Sequence, residues 1–334
     1  MAILVTGGAG YIGSHAVAAL LERGEEVVVV DDLRTGHREA LLTDRFYEGD
    51  ICDDGLLDRI FTEQRVEAVM HFAALSVVGD SVREPLAYYA NNLVAAQRLV
   101  AAMHRHGVTR MVFSSTAATY GTPAVMPIVE STPTVPTNPY GETKLAVERM
   151  LGWCEAPCGI RSVSLRYFNA AGAHPLRDLG ADHRPETHLI PIVLQVALRQ
   201  RPHVTVYGDD YDTPDGTCVR DYVHVVDLAD AHVLALERLR ASGPSTVYNL
   251  GSGKGFSVRE VIDSARTVTG VPIAVETGAR RPGDPPSLVA SAERACAELG
   301  WQPRFTGLDD IIRSAWRWHR THPEGYRTRV KQGA

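Results

Sequence analysis

The sequence has 334 residues, a net charge of −6 and no long run of basic residues. This pattern argues against nucleic-acid binding, which normally needs a basic stripe. The hydrophobic content of 45% is enough for a large buried core, and no apolar run approaches the roughly 20 residues of a membrane span. Five cysteines without zinc-type spacing predict free thiols, no metal site and a cytoplasmic protein.

Strand and helix patterns alternate along the chain. The predicted strands cover residues 3–5, 26–30, 66–72, 110–114 and 162–168, and the predicted helices cover 11–23, 92–106, 141–151, 223–239 and 258–268. Near-continuous apolar strands alternating with helices indicate a parallel sheet covered on both faces. We therefore expect an α/β fold with a Rossmann-type doubly wound parallel sheet. Residues 1–168 would form a nucleotide domain and 169–334 mainly a smaller α/β lobe, from which some segments return to the first domain.

A glycine-rich loop joins the first predicted strand to the first predicted helix. Gly7, Gly10 and Gly13 are spaced Gly-x-x-Gly-x-x-Gly, which permits a tight turn and a close approach of the backbone to a pyrophosphate. The second strand ends at Asp31, about 20 residues further on, where an acid can bind an adenosine ribose. Because this carboxylate would repel a 2′-phosphate, the pattern predicts NAD rather than NADP.

Two further strand ends fit a bound dinucleotide. Asp50 and Ile51 follow a short predicted strand and would flank the adenine, and Phe72, Ala73 and Ala74 would let the backbone approach the cofactor. An ordinary turn acid or a core phenylalanine explains these positions equally well.

Tyr140 and Lys144 are four residues apart, so a helix would place them on one face. A neighbouring cation lowers the pKa of a phenol from about 10, and NAD⁺ would add a second positive charge. Tyr140 could then take a proton from a hydroxyl while hydride leaves the same carbon. Thr116 follows the strand 110–114, at the edge where open α/β sheets bind ligands, and could relay that proton. A turn at the strand end is the alternative explanation for Thr116.

The motifs TGGAGYIGSH, SSTAATYG, YGETK, RYFNAAGAHP, VRDYVHVVDLA and YNLGSG together resemble those of the UDP-glucose 4-epimerase family of extended short-chain dehydrogenases/reductases. The first three are shared by all extended members, whereas the fourth and fifth are more specific. The resemblance implies that Tyr140 deprotonates the 4-hydroxyl of a UDP-hexose and that hydride passes to a tightly bound NAD. The 4-keto sugar then turns over and receives hydride on its other face.

The same resemblance implies the residues of each site. The catalytic residues would be Tyr140, Lys144 and Thr116. The cofactor contacts would be Gly7, Gly10, Tyr11, Ile12, Gly13, Asp31, Asp50, Ile51, Phe72, Ala73, Ala74, Asn91, Ser114, Tyr140, Lys144 and Tyr167. The substrate contacts would be Thr116, Tyr140, Asn169, His188, Leu189, Thr205, Tyr207, Arg220, Arg281, Asp284 and Ser287. Among these, Tyr207 would lie by the uracil, and Arg220 and Arg281 would hold the diphosphate in the bidentate manner that arginine favours.

Three positions depart from the family pattern. Thr116 stands where serine is frequent but keeps the hydroxyl, and Ser76 stands where some members carry a lysine near the cofactor phosphates. Ser287 is small, and the resemblance implies that small residues there admit N-acetylated sugars. His174 and His224 are not expected to act in catalysis, because Tyr140 already supplies that function. The resemblance also implies a homodimer, formed through the helices that contain residues 88–106 and 141–153.

Alternatives on the same fold differ in their requirements. A 4,6-dehydratase needs an acid pair after the active-site threonine, and Ala117-Ala118 follow Thr116 here. A UDP-pentose 4-epimerase remains open. A non-catalytic NAD(H)-sensing protein could keep the glycine loop but would not need Tyr140 and Lys144.

Overall fold

The computed structural model describes residues 1–281 and 284–327. Its strands are β1 Ala2–Thr6, β2 Glu26–Asp31, β3 Phe46–Glu48, β4 Val66–His71, β5 Arg110–Ser114, β6 Arg161–Tyr167, β7 Asn169–Ala171, β8 Val204–Tyr207, β9 Val219–Arg220, β10 Tyr222–His224, β11 Thr246–Leu250, β12 Phe256–Ser257, β13 Val275–Gly278 and β14 Ser287–Leu288. Its α-helices are α1 Tyr11–Glu22, α2 Asp54–Glu63, α3 Val78–Arg83, α4 Pro85–Tyr88, α5 Ala95–Arg105, α6 Pro139–Cys158, α7 Leu189–Ala197, α8 Val225–Arg240, α9 Val258–Thr269, α10 Glu293–Leu299 and α11 Leu308–Thr321. A π-helical segment, Tyr89–Val94, joins α4 to α5, and single 3-10 turns cover Arg38–Ala40, Ala117–Tyr120 and Gly325–Arg327.

Within the described part of the chain, the central sheet has seven strands in the order β11-β6-β5-β4-β1-β2-β3. Every neighbouring pair in this sheet is parallel. The chain runs outward from β1 to β3 and then crosses to β4 on the other side of β1. The carboxyl ends of β1 and β4 therefore flank the switch point, which is where open α/β sheets bind ligands. The predicted doubly wound Rossmann-type sheet is confirmed.

Alternate residues of the central strands pack on opposite faces of the sheet. Ile3 and Val5 of β1 belong to a core shared with α1 and α8, whereas Leu4 points into a second core shared with α2, α5 and α6. Side chains alternate in this way because successive residues of a strand face opposite sides. Burial on both faces explains the continuous apolar runs in the sequence.

Most predicted elements lie within one or two residues of the observed ones, with three differences. The helix predicted over 92–106 begins within the π-helical segment Tyr89–Val94 and becomes α-helical only at Ala95. The helix predicted over 141–151 continues to Cys158, and the left-handed Gly159 then ends it. The helix predicted over 223–239 is wrong at its start, because Tyr222–His224 forms β10 and pairs in parallel with β7. Only after His224 does α8 begin.

A separate hydrophobic core lies among the later elements. It brings together side chains of α7, α9 and α11 with β8, including Leu194, Val206, Ile262 and Ile312. However, β11 joins the central sheet beside β6, and α8 packs against α1. The division into residues 1–168 and 169–334 stays a prediction, and the last seven residues of the second unit lie outside the described residues. None of the helices described is long and apolar enough to span a bilayer.

Candidate active site

The glycine loop lies at the carboxyl end of β1 and leads directly into α1. Gly7 has a φ of +72°, and a β-carbon there would lie 2.6 Å from the backbone nitrogen of Ala73. A β-carbon on Gly13 would overlap the carbonyl oxygen of Gly7. Gly10 caps α1 without any side-chain hydrogen bond, so the first-turn N–H groups of the helix are available to an anion. Packing and open donors thus both fit a pyrophosphate at this loop.

Asp31 ends β2 beside this loop. Its carboxylate accepts hydrogen bonds from the backbone nitrogens of Ala9 at 3.0 Å and Leu33 at 2.9 Å. Burial raises the pKa of Asp31, and these two backbone donors oppose the rise. The carboxylate is therefore fixed next to the glycine loop, as the prediction for a ribose-binding acid requires.

The other predicted cofactor positions surround the ends of β3, β4 and β5. Asp50 accepts from the backbone of Cys52 at 2.8 Å, and Asn91 accepts from Arg34 at 3.1 Å. The remaining predicted cofactor positions are buried in the core or half-buried. Ile51 is buried in the core, Ile12 and Phe72 pack against the opposite core, Ala73 bonds Thr6, and Ala74 is half-buried.

Tyr11 connects the glycine loop to the chain that follows β7. Its hydroxyl donates to the carbonyl of Gly172 at 2.7 Å, and its ring lies edge-on to His183 with the centroids 5.9 Å apart. Burial raises the pKa of Tyr11, and the nearby carboxylate of Glu186 raises it further. The phenol of Tyr11 is therefore neutral, and its hydrogen bond to Gly172 fixes it between the glycine loop and the segment that follows β7.

Tyr140 and Lys144 lie on α6, which begins with Pro139 and is capped by the side chain of Asn138. Lys144 is 3% exposed, and its ammonium donates to the carbonyl of Ser114 at 2.9 Å. Burial lowers the pKa of Lys144 to about 7, although Glu148 opposes this effect. Lys144 thus lies at the carboxyl end of β5.

The expected effect of Lys144 on Tyr140 is not found in the chain alone. Burial raises the pKa of Tyr140, and the Thr116 hydroxyl opposes the rise. The phenol is therefore protonated in the protein without ligands, because a charged phenolate would be poorly solvated there.

Thr116 caps a turn and also lies beside Tyr140. Its hydroxyl oxygen accepts from the backbone nitrogen of Ala118 at 3.1 Å and so caps the 3-10 turn after β5, which is the structural alternative considered above. The same hydroxyl lies close enough to Tyr140 to affect its pKa. Nearby, the hydroxyls of Ser114 and Tyr167 share a hydrogen bond across β5 and β6.

Predicted substrate residues gather on a small three-stranded sheet, β12-β9-β14. Ser287 pairs in register with Val219, the residue before Arg220. The guanidinium of Arg220 bonds the carboxylate of Asp284 and also donates to the carbonyl of Val219 at 2.7 Å. Three of the predicted substrate residues, Arg220, Asp284 and Ser287, are thus brought together.

A second group lies on the strand pair β8 and β13. The guanidinium of Arg281 lies 3.9 Å from the centroid of the Tyr207 ring, and Thr205 pairs in register with Glu276. The half-buried Leu189 and its neighbour His188 begin α7. Asn169 donates its amide to the carbonyl of Asp221 at 2.9 Å and so joins β7 to the segment before β10.

Asp221 positions the backbone of two neighbouring segments. Its buried carboxylate accepts from the backbone of Ser252 at 2.7 Å and of Ala290 at 3.1 Å. The two histidines that were not expected to act in catalysis also have structural partners. His174 accepts from the backbone of the turn that follows it, and His224 caps α8 and bonds Ser314 at 3.0 Å.

Sequence reasoning missed two buried polar groups around this site. Asn92 bonds both the backbone nitrogen and the carbonyl of Leu75, at 2.8 and 2.9 Å. Glu148, one helical turn after Lys144, forms a buried ion pair with Arg166 of β6, and both side chains are 6% exposed. The spacing of Lys144 and Glu148 was visible in the sequence, but the partner of Glu148 lies on another element.

Comparison with known proteins identifies the family to which the chain is related. The model of the NAD dependent epimerase/dehydratase family matches residues 3–251. A UDP-glucose 4-epimerase of Halalkalibacterium halodurans is 59% identical over 331 residues, which are 99% of each chain.

Solved structures agree with this match. The crystal structure of UDP-glucose 4-epimerase from Brucella ovis in complex with NAD is 46% identical, with a TM-score of 0.93 and coverage of 95% of this chain and 97% of that one. A UDP-glucose 4-epimerase from Bifidobacterium longum in complex with NAD⁺ and UDP is 41% identical, with a TM-score of 0.92 and coverage of 97% and 100%. The chain therefore belongs to the NAD dependent epimerase/dehydratase family, and within it to the UDP-glucose 4-epimerases.

Proposed function

We propose that the protein interconverts UDP-glucose and UDP-galactose by inverting carbon 4 of the sugar. The observation that carries this proposal is the position of Tyr140, Thr116 and the buried Lys144 at the same sheet edge as the glycine loop and Asp31. An acid–base group would therefore share the sheet edge with a dinucleotide-binding loop. The shared name of the closely similar relatives supports the substrate pair.

NAD would be held by the glycine loop, by Asp31 at the ribose and by Lys144 at the carboxyl end of β5. When bound, it supplies the hydride acceptor for carbon 4 and a positive charge that favours a phenolate. Asp50 and Ile51 would flank the adenine, and the remaining cofactor contacts are those expected from the resemblance. The overlap that a β-carbon on Gly7 or Gly13 would cause is consistent with a tightly packed phosphate loop.

Tyr140 takes the proton from the 4-hydroxyl and returns it to the same oxygen after the sugar has turned over. Its buried phenol is a weak acid in the free protein, so the proton leaves only when positive charge is present nearby. Thr116 donates its hydroxyl to the reacting oxygens and keeps them within hydrogen-bond reach. General acid–base catalysis of this kind contributes about 10²–10⁴-fold to the rate.

Arg220 and Arg281 bind the diphosphate, and Tyr207 contacts the uracil. Arg220 already has a carboxylate partner in Asp284, which orients the guanidinium before substrate arrives. Arg281 stacks on Tyr207, so the groups that would bind the phosphate and the base are already in contact. Asn169, His188, Leu189 and Thr205 complete the proposed substrate contacts.

Ser287 is small, and we propose that UDP-N-acetylglucosamine and UDP-N-acetylgalactosamine are also interconverted. Ser287 pairs with the residue that precedes Arg220, so its side chain belongs to the same small sheet as the proposed diphosphate site. A Ser287→Tyr variant should lose turnover of the N-acetylated pair while UDP-galactose still reacts. If the wild-type protein converts UDP-galactose but not the N-acetylated pair, this part of the proposal fails.

We also propose that the protein is a cytoplasmic homodimer. Several large apolar side chains of α3, α4, the π-helical segment and α6 are exposed, including Val82, Leu86, Tyr89 and Trp153. A cluster of exposed apolar groups of this kind is typical of an interface between chains. The five free cysteines fit a reducing compartment.

The test of the main proposal is to mix the purified protein with UDP-galactose, without added cofactor, and to separate the products by chromatography. We expect UDP-glucose to form, and Tyr140→Phe to lower the rate by about 10²–10⁴-fold. Tyr47→Phe is the matched control, because its hydroxyl donates to Glu63 and accepts from Gln64, and neither residue belongs to the proposed site. No conversion even with added NAD would favour a UDP-pentose substrate or an NAD(H)-sensing protein.

A further inference from the structure

The segment between β7 and α7 carries three residues with metal-binding side chains. Across the described ranges, His183, Glu186 and His188 are the one group of three or more histidine, cysteine, aspartate or glutamate side chains whose ligand atoms all lie within 4.8 Å of one another. This cluster was not visible in the sequence, because His-x-x-Glu-x-His does not match the common zinc spacings.

The two imidazoles face the two oxygens of one carboxylate. The Nδ1 atom of His188 lies 2.8 Å from Oε1 of Glu186, and the Nδ1 atom of His183 lies 3.5 Å from Oε2. The side chain of Glu186 is 4% exposed. The carboxylate is therefore buried beside two imidazole nitrogens.

One of these nitrogens is incompletely satisfied. The Nδ1 atom of His183 is buried and has no hydrogen-bond partner, because 3.5 Å with this geometry is too long for a good hydrogen bond. A buried polar atom without a partner destabilises the fold. An ion between His183 and Glu186 would satisfy this atom without a change of fold.

The ligand chemistry identifies the ion. Two imidazole nitrogens and one carboxylate oxygen are a ligand set typical of zinc, which binds three such groups and leaves a fourth position open. Magnesium and calcium prefer oxygen ligands alone. We propose that His183, Glu186 and His188 bind a zinc ion, with water at the fourth position. Solvent can reach that position because the side chains of His183 and His188 are 31% and 46% exposed.

The position of the cluster gives the ion a structural role. His188 is the residue that begins α7, and the ring of His183 contacts Tyr11 at the start of α1. A bound ion would tie the loop between them to both helix ends and so stabilise the wall between the proposed cofactor and substrate sites. Ligation through Nδ1 leaves the Nε2 atom of His188 free to donate to a substrate oxygen. The metal site does not depend on the identity of the substrate.

The test is a zinc titration of the full-length, untagged protein after treatment with a chelator, followed by competition with a coloured zinc indicator. We expect a single zinc ion per chain and a thermal unfolding midpoint that rises with zinc. His183→Ala and Glu186→Gln should each weaken zinc binding by more than about tenfold, because changes even outside the ligand set cost about 10–100-fold. His203→Ala is the matched control, because it removes a histidine–glutamate pair, His203–Glu276, that lacks a third ligand.

Cobalt provides a second measurement. Its visible spectrum should change on binding to the wild-type protein and to His203→Ala, but not to His183→Ala. Absence of zinc binding by the folded wild-type protein would overturn the proposal, whatever the variants do. Equal zinc affinity of wild type and the folded His183→Ala or Glu186→Gln variants would also overturn it, and the cluster would then be a hydrogen-bonded group without metal.

Discussion

The ion pair between Glu148 and Arg166 joins α6, the helix that carries Tyr140 and Lys144, to β6. Its removal should lower the thermal stability of the protein. Nε of Arg166 bonds one carboxylate oxygen of Glu148 at 2.9 Å, and a second guanidinium nitrogen bonds the other oxygen. Ser115, next to Thr116, also donates to Glu148. The guanidinium lies 4.8 Å from the ring centroid of Tyr120. A Glu148→Leu variant therefore leaves a buried guanidinium without its counter-ion.

The size of the effect follows from burial. Both side chains are 6% exposed, so water cannot replace the lost partner, and breaking such a pair costs about 3–5 kcal/mol. An unfolding entropy of about 2.1 cal/mol/K per residue gives about 1.4 °C for each kcal/mol in a chain of 334 residues, so the thermal unfolding midpoint should fall by roughly 4–7 °C. The double variant Glu148→Leu/Arg166→Met should recover much of the loss, because apolar replacement of a whole buried pair is often neutral.

Thermal unfolding of the single and double variants measures this prediction, and Arg98→Ala is the control. That substitution breaks an exposed pair with Asp54, so it should cost only about 0–1 kcal/mol. The activity profile gives a second measurement. Glu148 raises the pKa of Lys144, so its loss should move the fall of activity with rising pH to lower pH.

Three outcomes would contradict the role of this ion pair. If Glu148→Leu unfolds at the same temperature as Arg98→Ala, the unpaired guanidinium of Arg166 does not destabilise the fold. If the double variant is no more stable than the single one, the loss comes from packing rather than from an unpaired guanidinium. An unchanged pH profile of epimerisation would show that Lys144 does not respond to Glu148.

Three further predictions concern acid stability, the glycine loop and association. Burial lowers the pKa of His71 to about 3, below its unfolded value of about 6.5. Stability should therefore fall as the pH drops from about 6.5 towards 3, and a His71→Gln variant with a urea midpoint equally sensitive to pH would contradict this. Gly13→Ala should release NAD and lose activity, because the new β-carbon would overlap Gly7. Gly152→Ala on α6 has open space around it and should retain both NAD and activity. Equal NAD content of the two purified variants would refute this prediction. Trp153 is 82% exposed, and Trp153→Glu should convert the proposed dimer to a monomer. An unchanged dimer in light scattering would exclude this face as the interface.

Much of the fold was predictable because its signals are local. A strand buried on both faces must be apolar throughout, so the strands at 26–30, 66–72 and 110–114 were visible as short runs. The left-handed Gly24 and Gly107 marked the ends of the first two predicted helices, since few other residues adopt that conformation. The start of α8 was not predictable, because β10 exists only through its pairing with β7.

The sequence by itself determined the glycine loop, its acid and the pair Tyr140 and Lys144, because each depends on spacing along one strand, turn or helix. It did not determine the raised pKa of Tyr140, which comes from burial by distant segments. Nor did it determine the buried partner of Glu148 or the closeness of His183 to Glu186 and His188. These depend on which chain segments fold against each other, and on how much water that packing excludes, so only the tertiary structure decided them.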